Sequence, residues 1–112
     1  MTSLSEATLT DARDFLVRRL PWDLTRPRFI DFQREHIEEI TSGDASFPAH
    51  LREVSLEAVA SDDAALLRRA LTCLAIVGAP ADISVIQRLL THADPHVARD
   101  ARTAIFEIEH GI

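Results

Sequence analysis

The chain has 112 residues, 46% apolar and 27% charged, which suits one globular domain around a single core. Its net charge of -6 is even along the chain, with six Arg against nine acids in residues 1–45 and the same again in residues 46–112, so neither half is a basic module built for nucleic acid. No apolar run nears the roughly 20 residues of a membrane helix, and MTSLSEATLT lacks the basic-then-apolar pattern of a secretion signal, so a soluble, cytoplasmic protein with no membrane partner is expected.

Proline and glycine punctuate the chain into six predicted helices. The first runs from about Leu4 to Leu20, opened by the capping box Ser3-Leu4-Ser5-Glu6 and closed by Pro21, with Leu9, Ala12, Leu16 and Leu20 facing the core. The second spans about Arg26 to Thr41, with Thr25 as its cap and Phe29, Phe32, His36, Ile37 and Ile40 on its apolar face. The third, about Pro48 to Ala60, carries Leu51, Val54, Ala58 and Val59. The fourth, about Asp63 to Val77, ends at Gly78, and its single cysteine, Cys73, lies in an apolar run and reads as a packing residue. The fifth, about Ala81 to Thr91, buries Ile83, Ile86, Leu89 and Leu90. The sixth starts at Asp94-Pro95, an N-cap followed by Pro at the first helical position, and ends near Glu109. No stretch alternates with the period of a strand, so the fold class is all-α.

The chain matches itself at a spacing of 31 residues. DAALLRRALTCL at 63–74 aligns without a gap to DPHVARDARTAI at 94–105, pairing Asp63 with Asp94, Leu66 with Val97, Arg68 with Arg99, Ala70 with Ala101, Thr72 with Thr103 and Leu74 with Ile105. The preceding helices keep step, Val54 with Val85 and Val59 with Leu90.

From about Ala49 to His110 the chain resembles HEAT-like repeats of the short kind also found in phycobilisome-lyase-like proteins. The resemblance rests on the Asp-Pro turn into the second helix, the Val three residues after the Asp, and the small residues Ala101 and Ala104. The family usually places Arg directly after that Val; here Ala98 and Leu67 stand there, and Arg99 and Arg68 follow one residue later. The resemblance implies a short right-handed α-solenoid of antiparallel helix pairs, with repeats at 48–79 and 80–111 in one domain. Residues 1–45 form an N-terminal cap or degenerate repeat.

In such stacks the second helices line the concave side. Helical geometry puts His96, Arg99, Thr103, Phe106 and His110 opposite the core face of the sixth helix, with Arg102 at the edge, and the repeat register adds Arg68, Leu71, Thr72 and Ala75 from the fourth. This strip is cationic and partly apolar on an acidic protein, a composition favoured at interface hot spots, and is the expected partner-binding surface.

Catalytic and metal chemistry find no pattern to rest on. His92 and His96 are four apart but straddle the Asp94-Pro95 helix start, and Glu35-His36-Ile37-Glu38-Glu39 lacks the Glu-x-x-His spacing of dimetal bundles. No Gly-rich phosphate loop, Gly-x-Ser-x-Gly or catalytic Cys/His pair is present, so neither an enzyme nor a cofactor is expected. The expected function is non-catalytic binding of a protein partner by a monomer or homodimer. An immunity protein or antitoxin that neutralises a toxin domain falls within that class. Nucleic-acid binding or DNA repair is the alternative, opposed by the net charge. A lyase or chromophore-handling accessory role rests on the repeat resemblance alone.

Overall fold

The computed structural model describes residues 29–110 and Ala12. Its α-helices are α1 (Phe29–Gly43), α2 (Phe47–Ala58), α3 (Ala64–Val77), α4 (Ile83–Gln87) and α5 (Pro95–His110), and the described residues include no strand. The first expected helix, apart from Ala12, and the Thr25 cap lie outside the described residues, as do the side chains of Phe29, Phe32 and His36. The all-helical expectation holds for the described residues.

The helix starts follow from local chemistry. Asp63 has extended backbone and its carboxylate accepts the Ala65 and Leu66 amides (2.9 and 3.4 Å), while Asp94 accepts the His96 amide at 2.8 Å, so the 31-residue match of Asp63 with Asp94 is a match of helix caps. Helix α3 stops at Gly78, whose amide donates to the Leu74 carbonyl at 2.8 Å. A Cβ on Gly78 would collide with that same carbonyl oxygen, so the tight end of α3 itself favours glycine, and Ile108 Cδ1 at 2.9 Å adds a second, softer contact.

The fifth expected helix is broken up. Residues 80–91 form a 3-10 turn (Pro80–Asp82), one short α segment (α4) and a second 3-10 turn (Arg88–Thr91). The β-branched residues Ile83, Val85 and Ile86 all lie in the short α segment, so local propensity does not account for the 3-10 turns on either side of it. Only Ile86 of the four expected core residues is fully buried; Ile83, Leu89 and Leu90 are partly so.

Two apolar clusters meet on α3. Ala70 and Cys73 face Ala12, Ile37, Phe47, Leu51, Val54 and Ala58, whereas Leu67, Leu71, Leu74 and Ala75 join Ile86, Val97, Ala101 and Ala104. Helix α3 is therefore covered on both sides, as its apolar sequence demands. Two ion pairs tie these layers together. Arg52 on α2 is bidentate to Asp82, with Nε–Oδ2 and Nη2–Oδ1 both at 2.7 Å, and Arg68 Nε on α3 reaches Asp100 Oδ2 on α5 at 2.7 Å. Their separations, 30 and 32 residues, bracket the 31-residue spacing of the sequence.

Candidate protein-binding face

Helix α5 is amphipathic, and its periodicity decides what it shows to solvent. Val97, Ala101 and Ala104 point inward and are buried, with Ile105 and Ile108 packed beside them. One side of the helix is held by charge, through Asp100 to Arg68 and through Glu107 to Arg34 of α1 at 3.3 Å. The remaining arc carries the residues that the sequence placed outward: His96, Arg102, Phe106 and His110 are exposed, and Arg99 and Thr103 are partly so.

Phe106 stands out because it is the large apolar side chain left exposed among the described residues, at 57%. Its ring lies 4.5 Å from that of His110 between centroids, tilted by 40°, so the two rings make one aromatic ledge. Arg99 Nη2 lies 3.3 Å from His96 Nδ1, and its Nε is 3.9 Å from Asp100 Oδ1, which orients the guanidinium at the helix surface. Thr103 Oγ1 donates back to the Arg99 carbonyl at 3.2 Å. Arg102 is exposed between Arg99 and Phe106, and Glu109, which the sequence reading did not single out, is exposed near the end of the helix.

The α3 half of the expected strip is corrected. Leu71, Thr72 and Ala75 are buried, at 0%, 1% and 4% exposure, and cannot touch a partner in this fold. Arg68 is turned into its ion pair with Asp100, its side chain 16% exposed. The cause is the central position of α3, whose supposed outer face is where α5 packs. The candidate face therefore narrows from two helices to one.

Other features offer less chemistry. An open groove of about 570 Å³ lies between α1, the start of α2 and the end of α3, lined in part by Arg34, Ile37, Glu38, Thr41, Pro48 and Val77. The Thr41 hydroxyl beside it donates to the Ile37 carbonyl at 2.6 Å and Arg34 pairs with Glu107, so its polar groups do not converge on one point. Burial pushes the Cys73 thiol up to about 12, the wrong direction for a nucleophile. His92 Nδ1 accepts the Asp94 amide at 3.0 Å as part of the turn into α5. Among the described residues no three His, Cys, Asp or Glu side chains come together as a metal site, and no helix is long and apolar enough to cross a membrane.

No protein-family model, curated protein or solved structure matches the chain.

Proposed function

We propose that this chain is a non-catalytic, HEAT-like protein-binding module that holds its partner on the outer face of α5. The observation that carries this reading is the company Phe106 keeps: an aromatic ring 57% exposed beside Arg99 and Arg102, on a chain of net charge -6. Apolar area is worth about 25 cal/mol per Å² when removed from water, and aromatic rings with Arg are the side chains that most often anchor interfaces. The complement is an acidic surface with an apolar recess. The two Arg–Asp pairs, each spanning close to one 31-residue repeat, support a stack of helix pairs as the scaffold.

An immunity protein or antitoxin is a second protein-binding reading, and it uses surfaces other than α5. Glu35, Glu38 and Glu39 are exposed on α1 and Asp62 and Asp63 are exposed before α3, which gives the molecule acidic surfaces suited to a basic toxin domain. Nucleic-acid binding is less well supported, because the partly exposed Arg99 and the exposed Arg102 share their helix with the exposed Glu109 and do not form a row that tracks phosphates.

Affinity capture from the native host, run in parallel with wild type and the double variant Phe106→Ala/Arg102→Glu, tests the reading. A stoichiometric protein held by wild type and lost from a variant of equal helicity is the expected result. Equal capture by both chains would remove α5 as the binding face, and a salt-sensitive gel shift of duplex DNA would turn the reading to nucleic acid.

A further inference from the structure

The 31-residue register relates α3 to α5 position by position, so the way α3 receives α5 has a counterpart on α5 itself. On α3, Leu67, Leu71, Leu74 and Ala75 are buried in the cluster that includes Val97, Ala101 and Ala104, and Arg68 meets Asp100. Thirty-one residues on, the five positions are occupied by Ala98, Arg102, Ile105, Phe106 and Arg99. At about 100° per residue they fall within one arc of about 120°. Ala98 and Ile105 form its floor, buried and half-buried, while Arg102 and Phe106 are exposed and Arg99 is 42% exposed. The arc that accepts a helix on α3 is thus open to solvent on α5 at Arg99, Arg102 and Phe106.

The geometry points to a docking position for one further helix along this edge, supplied by a partner protein, with a carboxylate meeting Arg99 as Asp100 meets Arg68. This rests on the protein-binding reading above and specifies the partner. Where α3 has Leu71, α5 has Arg102, which adds a second cation and calls for a second carboxylate. Where α3 has Ala75, α5 has Phe106, whose larger ring needs small residues opposite it, as Ala101 and Ala104 are small where α5 crosses α3. The occupant is therefore an acidic amphipathic helix with a small-residue stripe. A second copy of α5 fits poorly, since two-fold pairing along this edge sets Arg99 and Arg102 of each copy toward the same cations of the other.

The probe is a fluorescent, covalently stapled helical peptide copying residues 94–110, with Arg99→Gln, Arg102→Gln and Phe106→Gln so that it presents only the inner face of α5. Titration with the full chain, followed by anisotropy, is expected to saturate. Arg99→Glu in the protein should weaken binding at least tenfold, and Asp100→Arg in the peptide should restore it against that variant. Absence of binding, or equal binding to wild type and Arg99→Glu, overturns the helix-docking proposal. A chain mass that doubles in light scattering and returns to one copy with Phe106→Ala overturns it in favour of self-association. If the peptide fails while native capture still depends on Phe106, the binding face stands and only the helical occupant falls.

Discussion

At the scale of single residues, the two Arg–Asp pairs share a 2.7 Å contact but differ in what surrounds them. Asp100 is 1% exposed and its Oδ1 has no hydrogen bond, so removal of Arg68 leaves a buried carboxylate with only the Arg99 guanidinium nearby at 3.9 Å, whereas Arg52 is 39% exposed and Asp82 also accepts the Ala79 amide at 2.8 Å. Arg68→Ala should therefore cost about 3 kcal/mol and Arg52→Ala about 1 kcal/mol in urea unfolding. Arg68→Ala/Asp100→Ala should cost clearly less than the sum of its single variants. The hydrogen bonds from Arg52 hold the Asp82 carboxyl below its ordinary value of 3.8, and the Ala79 amide adds to this. A carboxylate lowered in the folded state stabilises above its unfolded value and loses that contribution as pH falls through the folded one. Wild type should thus lose more stability than Asp82→Asn between pH 6 and pH 3. Cys73, fully buried with its thiol raised to about 12, should resist iodoacetamide at neutral pH until the chain is unfolded in urea.

At the scale of helices, most of what the sequence announced was punctuation. Asp63, Asp94-Pro95 and Gly78 fix ends of α3 and α5 through contacts that involve only neighbours in the chain, which is why they were legible. Asp63→Ala and Asp94→Ala should each cost about 1 kcal/mol, read from thermal melts followed by circular dichroism. Gly78→Ala should be worse, about 1 to 3 kcal/mol, because the added methyl collides with backbone and with Ile108. The fifth helix was less legible. Its apolar spacing suited a helix, yet the break-up into 3-10 and α segments depends on how residues 80–91 fit against α5, which no local window contains.

At the scale of the whole molecule, the self-match at 31 residues marked α3 and α5 as alike in sequence but not which of them is covered on both sides. Extending the α5 pattern back to α3 assigned Leu71, Thr72 and Ala75 to the surface, although only the helix at the edge keeps that face open. The uncharged run Leu71–Val77 carried the warning, since a helix apolar all round is a buried one. The α5 half of the site was legible because helical periodicity alone separates Phe106, Arg99 and Arg102 from Val97, Ala101 and Ala104. The central claim is that this exposed arc is a surface for another protein. It is tested most directly by photo-crosslinking in the native host with p-benzoylphenylalanine in place of Phe106, and at exposed Ala60 as the control. The account predicts one dominant protein adduct from position 106 that the control lacks and that Arg102→Glu diminishes. Adducts that are the same from both positions, or none from position 106, would contradict it.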